Sequence, residues 1–249
     1  MKKIIIAVLL VLVMAVPAMA KTAFDFNGYS LLADPQGQFK KFSTDFGLAI
    51  SYVPLSPAEP LGGLLPGIDA GVEATAVKID KNKPYWAAAA SDLPSYIVIP
   101  RVHVQVGLPI VPIDLGVSYS SVPNTDIKLT GFELKYAILK GGVVMPAIAV
   151  RGAMTKLTGI DVLDLSTKSV DVSISKGFLM FTPYAGIGMV KIDSKPKDPD
   201  VSAILKSVSV TEMKSFLGFK FSLLPILNIV AEADFSKVKE YSLRLNLHF

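Results

Sequence analysis

The last nine residues of the chain alternate between apolar and polar side chains without a break. The apolar positions are Tyr241, Leu243, Leu245, Leu247 and Phe249, and the positions between them are Ser242, Arg244, Asn246 and His248. A repeat of two residues is the period of a β-strand with two unlike faces. Such a strand must cover its apolar face with other apolar material, and this need restricts the folds that are open to the chain.

The same alternation recurs along most of the sequence. Seven segments show it clearly, namely 42–52, 68–76, 98–106, 113–119, 170–174, 227–235 and 241–249. Their apolar phase contains no charged residue. The interleaved phase carries Asp45, Asp69, Glu73, Arg101, Asp114, Asp171, Glu232, Asp234 and Arg244. This separation predicts strands with one apolar face and one polar face.

The spacing of these segments predicts an all-β fold of about twelve antiparallel strands. They are expected near 23–32, 42–53, 66–79, 95–107, 112–120, 126–138, 144–156, 166–175, 181–193, 208–222, 227–236 and 241–249. Their lengths suit tilted strands that cross a bilayer, so we predict a transmembrane, antiparallel, up-and-down β-barrel. Lys128 and Glu133 can both face inward only if a bulge lies at Thr130 and Gly131.

Prolines mark the start of every second strand from the third to the eleventh. They are Pro66, Pro112, Pro146, Pro183 and Pro225. Proline is tolerated as a first strand residue because no ladder hydrogen bond is lost there. The connections before these prolines are mostly short and apolar, whereas the alternate ones are more polar, with the longest at 81–92 and 194–206. Short turns on one rim and longer loops on the other are typical of transmembrane barrels.

Composition narrows the functional classes. With 51% hydrophobic residues and a mean hydropathy of +0.49, the chain is too apolar to be disordered. Beyond residue 20, no apolar run approaches the roughly 20 residues of a transmembrane helix. The chain has no cysteine, which excludes disulfides and thiolate metal sites. Its net charge of +4 predicts no nucleic-acid partner.

The first twenty residues have the layout of a secretory signal peptide. Lys2 and Lys3 precede an apolar run over 4–16, and Ala18-Met19-Ala20 supplies a small-x-small cleavage site. We therefore predict a signal peptide over 1–20, cleavage between Ala20 and Lys21, and a barrel domain over 21–249. The alternative, an uncleaved anchor, is disfavoured because the apolar run is short for a bilayer.

Aromatic residues cluster at the ends of the apolar phase, as interfacial girdles do. They are Phe42, Tyr52, Tyr96, Tyr119, Phe221, Phe235, Tyr241 and Phe249. With the leader, the alternation and a terminal phenylalanine, the chain over 21–249 resembles Gram-negative outer-membrane β-barrel proteins. A secreted β-sandwich is the alternative, but it requires neither girdles nor a terminal aromatic residue.

The resemblance also implies how the chain is exported and inserted into the membrane. The strand carrying Tyr241, Leu243, Leu245, Leu247 and Phe249 would be the signal read by the barrel assembly machinery. Periplasmic chaperones would escort the exported chain, and both termini would lie in the periplasm of the finished barrel. The implied location is the outer membrane, with outer-membrane lipid around a monomer.

The polar phase supplies the candidate lumen residues. The charges expected to face inward are Arg101, Lys128, Lys135, Arg151, Lys220 and Arg244, with Asp45, Asp69, Glu73, Asp114, Glu133, Asp171, Glu232 and Asp234. The candidates for the lumen or its constriction are Arg101, His103, Gln105, Asp114, Glu133, Lys135, Arg151, Asp171, Lys220, Glu232, Asp234 and Arg244. These side chains either fill a narrow barrel as paired groups or set the constriction of a small-solute channel.

Two further interpretations remain open. The barrel is a carrier of hydrophobic ligands if Ile97, Ile99 and Val230 line a continuous inner pocket. It is a structural or surface-interaction barrel if its loops bind a partner. The loop sequence Lys81-Asn82-Lys83-Pro84-Tyr85-Trp86 is then a candidate recognition element.

Catalysis and metal binding have little support in the sequence. The two histidines, His103 and His248, are far apart and form no ligand cluster. No Gly-x-Ser-x-Gly elbow is present. Gly186-Ile187-Gly188 lies in an alternating strand with no helix after it, so it does not indicate a nucleotide loop. We predict neither an enzyme nor a bound cofactor.

Overall fold

The computed structural model describes residues 24–90, 93–122 and 125–249. The predicted signal peptide and its cleavage site at Ala20 and Lys21 lie outside the described residues. Within the described ranges the chain forms a closed barrel of ten strands, each paired with its neighbour in sequence, and β1 closes against β10. All the pairings are antiparallel. The predicted all-β, up-and-down barrel is confirmed.

The strands correspond to the last ten of the predicted twelve. They are β1 Gly67–Lys78, β2 Tyr96–Gly107, β3 Ile113–Ser121, β4 Lys128–Lys140, β5 Ala147–Thr158, β6 Leu163–Ser175, β7 Phe181–Pro196, β8 Val208–Leu224, β9 Leu227–Phe235 and β10 Lys239–His248. Period-two alternation located them well because each strand has one face inside the barrel and one outside.

The first two predicted strands, 23–32 and 42–53, are wrong. A short 3-10 helix spans Asn27–Leu31, and helix α1 spans Pro35–Ala49. Pro35 stands in the first turn of α1, and the Asp34 side chain caps it by accepting from Gly37 N–H. Every residue from 42 to 50 is buried. Alternation there does not separate an inner face from an outer face, because this part of the chain lies inside the barrel.

The two ends of the barrel differ in their connections. We call the end where β1 begins and β10 ends the turn rim, because residues 108–112, 141–146, 176–180 and 225–226 make short connections there. The opposite end, the loop rim, carries the longest connections, 79–95 and 197–207, with the short helices α2 Pro84–Ala89 and α3 Pro199–Ser202. The five strand-start prolines all lie at the turn rim. Among the described residues, no helix is both long enough and apolar enough to cross a membrane.

The outer wall of the barrel is apolar. Large apolar side chains point outward around its circumference and are 42–56% exposed, as at Val102, Val104, Leu115, Val117, Phe132, Leu134, Val170, Val172, Leu217 and Leu243. The inner wall carries buried charges. A water-soluble protein has the opposite arrangement. We call this outward apolar surface the apolar belt.

Six of the eight predicted girdle aromatics lie on the outer wall. Tyr96, Tyr119, Phe221, Phe235, Tyr241 and Phe249 are 36–63% exposed. The prediction was wrong for Phe42 and Tyr52, which are buried inside the barrel at 0% and 5% exposure. Both belong to the misassigned N-terminal region, so they cannot contribute to an interface with the surroundings.

The predicted bulge at Thr130 and Gly131 is also misplaced. Pairing of β4 with β5 runs without interruption from Lys128 to Ala137, and the register shifts between Ala137 and Leu139. Glu133 therefore faces inward while Lys128 is exposed and faces outward. Inward and outward positions alternate regularly from Lys128 to Ala137. The prediction that Lys128 faces the lumen is therefore wrong.

Candidate functional site

The N-terminal part of the described chain occupies the lumen. Helix α1 lies inside the barrel at the loop rim, where Ser43 Oγ donates to Ser194 Oγ on β7 at 3.0 Å. Residues 50–61, which we call the lumen segment, continue from α1 to the turn rim, and β1 then returns along the wall. Phe24 is consequently at the loop rim and Phe249 at the turn rim. The expectation that both ends of the chain lie on one side does not hold for the described residues.

At the loop rim the filling is apolar. The 3-10 helix, α1 and α2 bring aromatic rings together and pack them on inward-facing aliphatic residues of the wall. This cap consists of Phe26, Tyr29, Phe39, Phe42, Phe46, Tyr85 and Trp86 packed with Ile97, Ile99, Leu165 and Ile192, among others. Gly47 allows α1 to approach β7, because a Cβ there would lie 2.4 Å from the Ile192 side chain.

A few polar contacts fix the cap. Tyr29 donates to the Tyr85 carbonyl at 2.6 Å, and the Tyr85 hydroxyl donates to Asp45 Oδ2 at 2.6 Å. Burial, assisted by the bond to Asp45, raises the pKa of Tyr85 to about 12. Lys83 lies 3.4 Å from the same Asp45 oxygen. The loop sequence considered as a recognition element thus has its two aromatic residues packed into the cap.

In the middle of the barrel the filling is charged. Glu73 on β1 accepts from Arg101 Nη1 at 2.8 Å through one oxygen and from Arg244 Nε at 2.7 Å through the other. The three side chains are 1–4% exposed. One carboxylate therefore serves two guanidinium groups across three adjacent strands, β2, β1 and β10.

A second group is centred on Glu133. His103 Nε2 lies 3.4 Å from Glu133 Oε1, and the Tyr52 hydroxyl lies 2.9 Å from the same histidine nitrogen. Arg151 connects Glu133, at 3.5 Å, with Asp171, at 3.3 Å. This network links the wall to Tyr52 of the lumen segment.

Two lysines form further ion pairs in the middle of the barrel. Lys135 lies 2.9 Å from Asp114, and Lys214 lies 3.0 Å from Asp234. Lys214 was missed by the sequence analysis. A signal for it existed, since Lys214 shares the even-numbered phase of Lys220 on the same strand, and that phase faces inward.

Side chains of the wall also accept hydrogen bonds from the backbone N–H groups of the lumen segment. Prolines recur at every third position, Pro54, Pro57 and Pro60, and the N–H that follows each of them donates to a wall acceptor. These bonds are Leu55 N to Glu232 Oε2, Ala58 N to Ser175 Oγ and Leu61 N to Asp114 Oδ1, each at 3.1 Å. A chain segment inside a closed lumen has no strand partner, so each N–H needs such an acceptor.

Wall cations bind the carbonyls of the same segment. Lys214 donates to Tyr52 O at 3.2 Å, and Lys135 donates to Pro57 O at 3.1 Å and to Glu59 O at 2.9 Å. Arg244 reaches Pro54 O at 3.5 Å. Several charges predicted as constriction residues therefore hold a piece of the protein's own chain.

The structure places all twelve predicted lumen residues on the inner wall. Eleven are buried, and Lys220 is partly exposed. Gln105, Lys220 and Arg244 line a cavity of about 90 Å³ beside the lumen segment near the turn rim.

The geometry does not meet the condition set for a hydrophobic carrier. Ile97 and Ile99 pack in the cap, whereas Val230 belongs to a separate cluster with Leu55, Tyr184 and others. The three residues do not line one continuous pocket, because the N-terminal region fills the space between them.

The terminal strand closes the barrel. Phe249 N–H donates to Ile68 O, and Ile68 N–H donates to Phe249 O, both at 2.8 Å. Tyr241 and Leu243 of the predicted assembly signal are exposed on the outer wall. The strand is thus both the last element of the sequence and one side of the closing seam.

No protein-family model and no curated protein matches the chain. The comparison with solved structures returns a β-barrel domain of Pseudomonas aeruginosa OprF and the Yersinia pestis outer membrane protein Ail, among others. The N-terminal β-barrel domain of Pseudomonas aeruginosa OprF is 12% identical, with 73% of this chain and 97% of that chain covered and a TM-score of 0.37. Yersinia pestis Ail is 17% identical, with 74% of this chain and 97% of that chain covered and a TM-score of 0.35.

The β-domain of the Bordetella autotransporter BrkA is 10% identical, with 74% of this chain and 98% of that chain covered and a TM-score of 0.39. Similarities at this level do not transfer a function. What the protein does must therefore be inferred from its own belt and lumen.

Proposed function

We propose that the protein is an outer-membrane β-barrel whose lumen is closed by its own N-terminal region, and that it has a structural or surface-interaction role without conducting solutes. The passage of residues 50–61 through the lumen carries this proposal. The apolar belt supports the membrane location, because a closed barrel with apolar side chains outside and charges inside is suited to lipid surroundings.

The filling of the lumen favours a closed barrel over a channel. A small-solute channel needs charges that are free to face the solute. Here Glu73, Glu133 and Lys135 are bound to other wall groups or to the lumen segment. At the loop rim the aromatic cap fills the cross-section as well.

The loop rim is the surface that this barrel presents. In transmembrane barrels the longer loops face outward from the cell and the short turns face the periplasm. The cap and the two longest connections would then form an ordered outer surface. A barrel built in this way is suited to holding that surface in place.

Conductance measurement is the direct test of closure. We expect the refolded chain over 21–249 to give no step conductance in planar bilayers, because the cap and the lumen segment fill the barrel. A shift in gel mobility between unheated and boiled samples would show that the inserted protein is folded. Reproducible conductance steps from such a folded sample would contradict the closed lumen.

An outer-membrane location also implies partners for the barrel. The barrel would be a monomer surrounded by outer-membrane lipid, delivered by periplasmic chaperones and inserted by the barrel assembly machinery. No catalytic role is proposed. The closing seam between β1 and β10 supplies a test of this route.

Deletion of Phe249 is expected to reduce the amount of barrel in the outer membrane several-fold while leaving export intact. The deletion removes two backbone hydrogen bonds at the seam and the last aromatic residue of the outer wall. Immunoblots of periplasmic and membrane fractions measure the effect. Phe249→Tyr is the control, since it retains the backbone bonds and the ring. Normal membrane levels of the deletion protein would show that the residue is not needed for insertion.

A further inference from the structure

Four neighbouring strands each contribute at least one lysine to the outer wall near the loop rim. They include Lys128 on β4, Lys156 on β5, Lys168 on β6 and Lys191 on β7, and all four are exposed. Lys168 lies directly opposite Lys191 in the antiparallel register. Lys156 is opposite Ser166, two residues from Lys168, and Thr130, two residues from Lys128, is opposite Lys156. We call these four residues the lysine row.

The fold provides little compensation for these charges. Residues directly opposite in an antiparallel pair have Cβ atoms about 5 Å apart, and like charges there repel. Among the residues that the structure describes, the side chains of Lys156 and Lys168 have no hydrogen-bond or ion-pair partner. Lys191 lies 3.9 Å from Asp193, which is half-exposed and also accepts from Ser209 at 2.7 Å.

Lysines at the turn rim behave differently. Lys176 donates to the carbonyls of Gly142 and Val143, both at 2.7 Å, and Lys140 donates to Ile110 O at 3.3 Å. Those lysines stabilise turns of the protein itself. The lysine row has no such use within the described structure, so its charges are available to a ligand.

The lysine row borders the apolar belt directly. Two residues closer to the turn rim on the same strands, the outward positions are Met154 on β5, Val170 on β6 and Met189 on β7, each 43–50% exposed. Two residues of strand span about 7 Å. The wall thus places a line of cations above an apolar surface, which complements a molecule with an anionic head and hydrocarbon tails.

We propose that the lysine row binds the phosphate groups of a phosphorylated membrane lipid whose acyl chains cover the adjacent part of the apolar belt. Ammonium groups from three or four strands can share such phosphates, which offsets the repulsion between Lys168 and Lys191. The acidic residue Asp164 on the same wall is opposite Lys195 in the register, so it does not neutralise the row. The inference rests on the proposed membrane location but not on closure of the lumen.

Native mass spectrometry of the full barrel in a neutral detergent tests this assignment. The probe is diphosphorylated lipid A, with phosphatidylcholine as a neutral-headgroup reference. The variant Lys156→Gln/Lys168→Gln/Lys191→Gln removes three charges from the row. The control Lys40→Gln/Lys41→Gln/Lys81→Gln removes three exposed lysines from α1 and the 79–95 loop, which are not on the outer wall. Heat-shifted gel mobility verifies that each barrel is folded.

We expect the unmodified barrel to retain lipid A in preference to phosphatidylcholine, and the row variant to lose at least about tenfold in affinity. The control should stay within about twofold of the unmodified barrel, and millimolar inorganic phosphate should not displace the lipid. Equal binding by the row variant, or an equal loss in the control, would overturn the assignment. Displacement by inorganic phosphate would also overturn it, because the site would then take free phosphate. Since the readout is lipid binding, a conducting barrel would leave this result unaffected.

Discussion

A barrel that lacks residues 24–61 is expected to conduct in planar bilayers where the full chain is silent. The deletion removes the lumen segment and the aromatic residues that the 3-10 helix and α1 contribute to the cap, leaving wall charges such as Arg151, Lys135 and Glu232 to face water. An eight-stranded barrel is just wide enough for its own side chains to fill, and a ten-stranded one is wider. The extra width is what the lumen segment occupies. Once that segment is absent, a hydrated path through the barrel should remain.

A shorter deletion provides the matched control. Removing residues 24–33 takes away the 3-10 helix but leaves α1 and the lumen segment with their contacts to β7, β8 and β4. We expect this barrel to remain silent. Conduction by both deletion proteins would mean that α1 and the lumen segment do not close the lumen without the 3-10 helix. Silence of a folded barrel without 24–61 would show that the wall side chains close it unaided.

An engineered cross-link distinguishes a fixed segment from a gate. The chain has no cysteine, so Ala58→Cys with Ser175→Cys would introduce two thiols where Ala58 N–H now donates to the serine hydroxyl at 3.1 Å. If the lumen segment is fixed, both the oxidised and the reduced proteins should be silent. Conduction that appears only after reduction would show that the segment leaves the lumen and that the barrel is a gated channel.

The wall of the barrel could be predicted from sequence, because a strand between lipid and a filled lumen separates its side chains strictly by phase. That separation located ten strands, the seam at Phe249 and the inward charges. It failed where the chain lies wholly inside. Residues 42–52 alternate by composition, yet Phe39, Phe42 and Phe46 also follow the spacing of three and four residues that is typical of a helix.

The lumen segment has a sequence pattern of its own. Pro54, Pro57 and Pro60 recur every third residue, a pattern that no central strand tolerates. Local sequence alone does not show that the acceptors of the intervening N–H groups are Glu232, Ser175 and Asp114, because those contacts span 53 to 177 residues along the chain. Pairing within the lumen is a property of strand order and register, which fix the positions of side chains on different strands.

The largest loss of stability is expected for Glu73→Gln. The carboxylate of Glu73 is the acceptor for both Arg101 and Arg244, and all three side chains are 1–4% exposed. Glutamine retains the shape but removes the negative charge, so two buried guanidinium groups lose their counter-ion. Leaving a buried charge without its partner costs about 3–5 kcal/mol. Urea unfolding of the barrel in lipid vesicles, followed by tryptophan fluorescence of Trp86, measures the change.

Two comparisons make the result specific to the buried charge. Glu212→Gln breaks an exposed pair with Lys237, in which the lysine side chain is 59% exposed, and should cost no more than about 1 kcal/mol. Adding Arg101→Met to Glu73→Gln removes one of the two uncompensated cations and should recover part of the loss, which a double-mutant cycle quantifies. If Glu73→Gln itself costs less than about 1 kcal/mol, water must reach these arginines. Such access would mean that the cavity beside Arg244 extends to the Glu73 carboxylate, so this measurement reports how well residues 50–61 exclude water from the buried charges.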